Sequence, residues 1–419
     1  MHGRPDRAPR RRLSAVVLVA ALTIGGAAPA GAQVGGYTPP RGVVINDPLG
    51  DPAQRRAITD HLIRSIDSTP PRGRIRIASW NFRSRELAAA LIRAHRRNVV
   101  VRLILSAGNA GERHPNGSIR LLRRGLHGAH NGQRPVSRRS RVVACAASCR
   151  GTKGIAHSKF YLFSRSGGAR WVVMNGSFNA TDVAAHRQWN DLVTVRGRRK
   201  VYREFLTTFR EMYRDQPVRQ GYRSRDFGSL ALSVFPYVGR RTVVDPVLKE
   251  LNKTVCAGAR HGTDGRTKVR IAMTSWLGER GIRIARRIRQ MQVRGCDVQV
   301  IYAVMGTVVR RVLRLGRPGK VSLRQIVQDL DGDGASDRYL HTKVMTINGV
   351  HRGDPAAWVT LTGSANWTPK ALVSDDVTLM LFGRSTVRRY NTWIQRLFKE
   401  PPADPGRKAR KRARRQAAS

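Results

Sequence analysis

The chain has 419 residues, of which 78 are Lys or Arg and 27 are Asp or Glu, so its formal net charge is +51 at pH 7. After the N-terminal segment, no apolar run is long enough to cross a bilayer, which excludes a membrane protein with several spans. The charge favours phosphate polymers or anionic lipid surfaces as partners, but it does not distinguish nucleic acid from membrane.

The N-terminal residues 1–32 have the pattern of a secretory signal peptide. A basic stretch precedes the mostly apolar residues 13–24, and the small residues 30–32 fit a cleavage site. We therefore expect a secreted protein, with the export route left open. Residues 33–44 are rich in Gly and Pro and are predicted to be a linker.

The remaining chain is long enough for two domains with real cores, predicted at 45–225 and 226–398. Each domain opens with a pattern of strand, helix and strand, which favours an α/β fold. The quoted stretches are RIRIASWNF with RELAAALIRAHRRNVVVRLIL, and KVRIAMTSW with GIRIARRIRQMQVRGCDVQVIY. Residues 399–419 form a basic tail without an apolar period and are predicted to be disordered.

Four cysteines in an exported chain suggest two disulfides. Cys145 and Cys149 form a local pair, which leaves Cys256 and Cys296 as the natural partners of each other. The sequence alone allows three connectivities.

A short polar phrase occurs twice, as GIAHSKFYLFS with WVVMNGSFN and as RYLHTKVMTIN with WVTLTGSAN. Each copy, called a cassette below, offers the same residue types in the same order: His157, Lys159, Ser177 and Asn179, then His341, Lys343, Ser364 and Asn366. The apolar flanks predict strands over 155–163 and 340–347, in which His and Lys share a face. One such His is most simply a core residue, but two matching cassettes indicate a functional site.

A third repeated element follows each cassette, WNDLVTV in the first copy and SDDVTLM in the second. Aligned in this way, Asp191 corresponds to Asp376, just before or within a predicted strand. A carboxylate bonded to one ring nitrogen of a His fixes its tautomer and raises the basicity of the other nitrogen. Both Asp residues are therefore supporting candidates, or else ordinary acids at strand ends.

At these residues the chain resembles the phospholipase D superfamily, whose signature is His-x-Lys, four residues and an Asp, then Gly-Ser-x-x-Asn or a near variant. The resemblance spans about residues 45–398. One departure is that the family Asp is Ser164 in the first cassette and Asn348 in the second. The spacing to Asn179 and Asn366 is also compact.

The resemblance implies two similar domains, each a mixed sheet flanked by helices, which face each other as a pseudo-dimer with one shared active site. One imidazole then attacks phosphorus to form a phosphohistidine while the other protonates the leaving group. By the same analogy we assign His157 as nucleophile and His341 as acid and then base, although the symmetry permits the reverse. Lys159 and Lys343 hold the non-bridging oxygens, and the Ser and Asn of each cassette donate hydrogen bonds.

This chemistry requires no metal and no cofactor, and no cluster has zinc-ligand spacing. A weak calcium candidate is the run Asp329, Asp331 and Asp333 with Gly334. The twelfth position of such a loop is Leu340, so the bidentate Glu is missing. The alternative interpretation is an acidic surface turn.

The preferred function is a secreted phosphodiesterase of phospholipase D type that hydrolyses a phospholipid headgroup ester or transfers the phosphatidyl group to alcohols. Since one chain supplies both cassettes, a monomer suffices. The alternatives are a metal-independent nuclease of the same superfamily and an inactive phosphate-binding relic; retention of both His-x-Lys pairs argues against the relic. Four tryptophans near the motifs either pack beside the site or stack on bases: Trp80, Trp189, Trp276 and Trp367.

Overall fold

The computed structural model describes residues 36–111, 115–238, 244–316 and 320–406. The predicted signal peptide and most of the predicted tail lie outside these residues. The first half of the chain contains the strands β1 (Gly42–Ile45), β2 (Arg74–Ala78), β3 (Phe82–Arg83), β4 (Val100–Ser106), β5 (Arg141–Cys145), β6 (Phe160–Ser166), β7 (Ala169–Gly176), β8 (Ala180–Thr181), β9 (Gln188–Trp189) and β10 (Asp191–Val195). Its α-helices are α1 (Pro52–Asp67), α2 (Arg85–Arg96), α3 (Gly117–His127), α4 (Ala129–Gly132), α5 (Asp182–His186) and α6 (Arg199–Arg214).

The second half repeats this alternation. Its strands are β11 (Arg223–Asp226), β12 (Leu230–Val234), β13 (Thr254–Val255), β14 (Lys268–Trp276), β15 (Asp297–Met305), β16 (Ser322–Gln325), β17 (Val327–Gln328), β18 (Arg338–Leu340), β19 (Lys343–His351), β20 (Asp354–Gly363) and β21 (Val377–Phe382). Its α-helices are α7 (Pro246–Asn252), α8 (Gly278–Val293), α9 (Thr307–Arg314), α10 (Pro369–Val373) and α11 (Arg384–Lys399).

Each half is built on one mixed sheet. The first sheet has the order β1-β10-β7-β6-β2-β4-β5, and the second has the order β11-β12-β21-β20-β19-β14-β15-β16, with β13 beside β19. In each sheet a parallel pair, β2 with β4 or β14 with β15, lies next to the antiparallel strand that follows the cassette His. The predicted α/β class with two similar halves is therefore confirmed.

The alternation of side chains along β2 explains how the first half buries one face of its sheet. Ile75 and Ile77 lie in the apolar core, whereas Arg74 and Arg76 point to the other face. The core is completed by α1, whose first turn is closed by a capping box between Asp51 and Gln54. The opposite face of β2 therefore carries positive charge.

The two halves share one apolar cluster, so they pack as a continuous body. Phe160 and Phe205 from the first half belong to the same buried cluster as Tyr390 and Ile394 from α11. A parallel pairing of β9 with β18 also joins the halves, with Leu340 opposite Trp189.

Two details differ from the sequence predictions. The strand predicted over 155–163 begins only at Phe160, and the strand predicted over 340–347 is interrupted between Leu340 and Lys343. In both places the backbone N–H of the cassette His donates to the other half of the chain instead of to its own sheet. The predicted linker 33–44 overlaps β1, because the apolar run that starts at Val43 pairs with β10. The domain boundary near residue 225 stays a prediction.

The cysteine pairing is as expected, with one disulfide between Cys145 and Cys149 and one between Cys256 and Cys296. In the part of the chain that the structure describes, no helix combines the length and the apolar character needed to span a membrane.

Candidate active site

His157 is held by groups from the second half of the chain. Its backbone N–H donates to the carbonyl of Asp375 at 3.0 Å, beside a bridge between Ala156 and Asp375. Its ring Nδ1 lies 2.9 Å from Oδ1 of Asp376, which also accepts a hydrogen bond of 2.5 Å from the Ser364 hydroxyl. The predicted contact between Asp376 and the ring of a cassette His is therefore present, and it crosses between the halves.

His341 has the same arrangement with the halves exchanged. Its N–H donates to the carbonyl of Trp189 at 2.9 Å, and its Nδ1 lies 2.8 Å from Oδ1 of Asn190. The amide nitrogen of Asn190 donates to the carbonyl of Ala184 at 3.0 Å, so the amide oxygen faces the ring. Nδ1 of His341 consequently carries the proton, and Nε2 is the nitrogen left for chemistry.

Asp191 makes no hydrogen bond to the ring of His157 or His341, contrary to the prediction from the sequence alignment. Its Oδ2 accepts hydrogen bonds from Thr362 at 2.5 Å and Tyr390 at 2.6 Å, both from the second half. The position equivalent to Asp376 is Asn190, because Ser177 donates from its hydroxyl to Asn190 as Ser364 does to Asp376.

The backbone confirms this shift of one residue. Ser177 N–H donates to the carbonyl of Asp191, whereas Ser364 N–H donates to the carbonyl of Val377. Asp191 is thus the counterpart of Val377. The correct alignment places WND (189–191) opposite DDV (375–377), whereas the prediction from sequence placed it opposite SDD (374–376). The apolar strands that follow match about equally well in both alignments, so the sequence favours neither.

Both lysines of the cassettes are buried and fold back on their own histidines. Nζ of Lys159 donates to the carbonyl of His157, and Nζ of Lys343 donates to that of His341, each at 2.5 Å. Burial lowers the pKa of Lys159 to about 7, against an opposing effect of Asp376. Burial, then the charge of Lys159, lowers the pKa of Lys343 well below its usual value.

The imidazole pKa values show that the two cassettes share one electrostatic environment. Burial lowers the pKa of His157, and the charges of both lysines act in the same direction, while Asp376 opposes them. Burial also lowers the pKa of His341 well below its usual value, with further contributions from Lys343, Lys159 and His157. The His and Lys side chains of the two cassettes therefore lie within electrostatic reach of one another.

The carboxylate of Asp376 stays ionised in this setting. Burial alone raises its pKa, but the nearby charges of His157 and Lys159 and the hydrogen bonds from His157 and Ser364 hold the pKa below its usual value. It is therefore a fixed negative charge on the Nδ1 side of His157.

The Gly-Ser pairs bring backbone close to the next strand. A Cβ on Gly176 would lie 2.2 Å from the carbonyl oxygen of Asp191, and one on Gly363 would lie 2.1 Å from that of Val377. Only glycine fits there, which leaves the following serine to reach Asn190 or Asp376. Beyond the serines, the amide oxygens of Asn179 and Asn366 are buried without a hydrogen-bond partner among the described residues.

The two positions where the superfamily signature has Asp carry Ser164 and Asn348, and neither side chain belongs to the hydrogen bonds of the cassette histidines. The hydroxyl of Ser164 accepts a hydrogen bond of 2.9 Å from the N–H of Arg74. Asn348 is buried, and its Nδ2 has no partner among the described residues. Neither contacts a cassette His by hydrogen bond.

The calcium candidate folds as a turn. One carboxylate oxygen from each of Asp329, Asp331 and Asp333 lies within 4.8 Å of the others. Backbone N–H groups of the turn donate to these carboxylates, including those of Gly332 and Gly334 to Asp329. These contacts shape an acidic turn, and the calcium candidate stays a prediction.

A family model described as "Cardiolipin synthase, PLD-like domain" matches residues 62–213 and 263–398, which together make up well over half of the chain. The protein belongs to the phospholipase D-like family. The two matched segments coincide with the two halves of the structure, so this family member carries two phospholipase D-like halves in one chain.

Two solved structures show the same fold. Phosphatidylserine synthase from Haemophilus influenzae is 12% identical with a TM-score of 0.54, and the match covers 87% of this chain and 92% of that one. Polyphosphate kinase from Porphyromonas gingivalis is 11% identical with a TM-score of 0.52, and the match covers 90% of this chain but only 55% of that one. Among the curated proteins, none matches the sequence.

Proposed function

We propose that this phospholipase D-like protein is a secreted phosphodiesterase that hydrolyses a phospholipid headgroup ester through a phosphohistidine on His157. The difference between the two Nδ1 partners supports this assignment of roles. Attack on phosphorus places positive charge on the imidazole, and the carboxylate of Asp376 stabilises that charge. His341 faces the neutral amide of Asn190, which gives no such stabilisation.

The same difference suits His341 to act as the acid. An imidazolium that lacks a carboxylate partner has a lowered pKa and gives up its proton readily. In the proposed first step, Nε2 of His157 forms a bond to phosphorus, the bond to the headgroup oxygen breaks, and that oxygen takes the proton of His341.

The second step reverses the proton transfer. Neutral His341 removes a proton from water, whose oxygen attacks phosphorus and breaks the bond to His157. An alcohol in place of water yields a transphosphatidylation product. Lys159 and Lys343 neutralise the non-bridging oxygens in both steps, since both are buried and close to the rings.

A lipid substrate is supported by the family's description as cardiolipin synthase and by the solved phosphatidylserine synthase, whose length the match almost fully covers. Three of the four tryptophans near the motifs, Trp189, Trp276 and Trp367, are buried in the fold and present no surface for base stacking. Trp80 is half-buried, with its ring 6.0 Å from that of His157.

A nuclease activity at the same centre is the second candidate. The observation in its favour is the net charge of +51, which attracts nucleic acid as strongly as an anionic membrane. An inactive relic is disfavoured because both His, both Lys and both Asn of the cassettes are retained and each cassette His has a hydrogen-bond partner from the other half.

The test offers mature protein, without divalent ions, phosphatidylcholine vesicles with ethanol and, separately, supercoiled plasmid. Choline release with formation of phosphatidylethanol, both lost in His157→Ala and His341→Ala, is the expected result. His261→Ala, which removes an exposed imidazole stacked on Trp358, is the matched control and should retain activity. Nicked plasmid without choline release would favour the nuclease over the lipid phosphodiesterase. Inactivity on both substrates would contradict the proposed phosphodiesterase activity.

A further inference from the structure

A second positively charged cavity lies on the first half, away from the cassettes. Its volume is about 480 Å³, and it is bounded by the polar face of β2, by β4 and by α6. Five arginines line it: Arg74, Arg76, Arg102, Arg210 and Arg214. These residues are far apart in sequence, so the cavity is a product of the fold and not of one basic run.

In the described part of the chain, no carboxylate side chain lines this cavity. Among the described residues none of the five makes an ion pair, and the side-chain partner of Arg76 is the Tyr202 hydroxyl at 3.4 Å. Burial lowers the pKa of Arg76, and the charges of Arg74, Arg102 and Arg210 lower it further. A cluster of like charges with no counter-charge is relieved by a bound anion.

In the second half of the chain, the arginine equivalent to Arg76 is neutralised by a carboxylate of the protein itself. Arg270 occupies on β14 the place of Arg76 on β2, and its guanidinium lies 2.6 Å from the carboxylate of Asp297. Asp297 pairs with the first residue of β14 as Val100 pairs with the first residue of β2. Val100 thus replaces the neutralising carboxylate in the first half.

Ser164 is the second position in this region at which a carboxylate is replaced by an uncharged side chain. It lines the cavity at the position where the signature of the superfamily has Asp, and its hydroxyl contacts the backbone of Arg74. An Asp there would introduce a negative charge among the arginines. The departure from the signature therefore leaves the cavity open to an external anion.

We propose that this cavity binds a phosphate group, free as pyrophosphate or carried by a small phosphate ester. Guanidinium groups match phosphate oxygens in charge and geometry. The volume falls in the range of small-molecule sites, and half-buried Trp171 and Tyr213 provide flat walls for the organic part of an ester. Arg74 and Arg76 line the cavity and Ala78 ends β2, so about 7 to 13 Å of strand lies between the cavity and the catalytic end.

Isothermal titration of the mature protein at low ionic strength tests this site, with pyrophosphate and ADP as probes. The decisive variant is Ser164→Asp, which adds a carboxylate inside the cavity. Asn348→Asp is the matched control, because it makes the same change of charge at the equivalent position of the second half, outside the cavity. Thermal melting of each variant confirms folding.

The expected result is that Ser164→Asp weakens pyrophosphate binding at least about tenfold, whereas Asn348→Asp binds like the wild type. Tighter binding of ADP than of pyrophosphate would identify an ester as the ligand class, and equal binding would identify the free anion. Equal affinity of wild type and Ser164→Asp, or no binding of either probe at millimolar concentration, would overturn the proposal. Heat from phosphate bound at the catalytic lysines is common to all variants and does not affect the comparison.

Discussion

The substitution Asn190→Asp tests whether the partner of each Nδ1 sets the properties of its ring. It places a carboxylate where the amide oxygen now lies 2.8 Å from Nδ1 of His341, and so reproduces the environment of His157 beside Asp376. A pair of opposite charges about 4 Å apart interacts by about 4 kcal/mol at an effective dielectric constant of about 20. Since an opposite charge at such range shifts a pKa by about 1–3 units, we expect the pKa of His341 to rise by that amount.

The variant also has a cost in stability. The second carboxylate oxygen would face the carbonyls of Ala184 and Gln188, to which the amide of Asn190 now donates. Both carbonyls retain the amide of Asn46 as a donor, so they are not left without partners. The loss of these two hydrogen bonds predicts a fall of about 1–3 kcal/mol in the free energy of unfolding.

The assay is an NMR titration of the ring nitrogens in protein labelled with ¹⁵N-histidine. Asp376→Asn is the reciprocal variant and should lower the pKa of His157. Asp191→Asn is the control, because it removes a neighbouring carboxylate that lies on Thr362 and Tyr390 and not on a catalytic ring. A nearby opposite charge should raise the pKa of His341 by about 1–3 units. If the pKa rises by less than about 0.5 unit in a folded Asn190→Asp protein, against those 1–3 units, the partner of Nδ1 does not set the pKa of the ring.

Three further predictions concern stability and pH. Replacing Cys256 and Cys296 by Ser opens a loop with a sequence separation of 40 and should lower the free energy of unfolding by about 4 kcal/mol. The same change at Cys145 and Cys149, whose separation is 4, should lower it by about 2 kcal/mol. Denaturant titration measures both losses, and equal losses would contradict the dependence on loop length. Burial raises the pKa of Asp375 from 3.8 to about 7, so between these pH values the folded state binds one more proton than the unfolded state. Wild-type stability therefore falls as the pH rises through that window. Asp375→Asn should abolish this decline in thermal melts, and an unchanged pH slope in the variant would exclude Asp375 as its source. Because burial lowers the pKa of both catalytic histidines from 6.5, kcat/KM on the lipid substrate should decline above about that pH, and a profile that keeps rising to pH 8 would contradict the pKa directions.

The cassette residues could be singled out from the sequence because they occur twice. His157, Lys159, His341 and Lys343 stand at matching places in two cassettes, and duplication of so polar a set favours a functional role over packing; their catalytic role stays a prediction. The α/β class followed in the same way from the repeated order of strand, helix and strand. These features are local, so each is present in a short stretch of chain.

The partners of the catalytic rings were harder to predict because they lie in the other half. Asp191 and Asn190 are adjacent, and successive residues of an extended chain point to opposite sides, so an alignment error of one residue exchanges the side chain that reaches His341. The same limit explains the late start of β6, where the N–H of His157 bonds across to Asp375 instead of within its own sheet.

The arginine cavity was also missed from sequence. Arg76, Arg102 and Arg210 come from two strands and a helix, and none belongs to a dense basic run. Their proximity depends on the parallel pairing of β2 with β4 and on the packing of α6 over that sheet. Only the departure at Ser164 from the superfamily signature marked the place.

The most direct test of a single centre built by both halves is a crystal structure with tungstate, a tetrahedral oxyanion that mimics the phosphoryl group. We expect one tungstate between Nε2 of His157 and Nε2 of His341, with the Nδ1 atoms still on Asp376 and Asn190 and both lysine ammonium groups near the oxygens. Two separate tungstate sites, one for each cassette, or rings bonded to other partners, would contradict it.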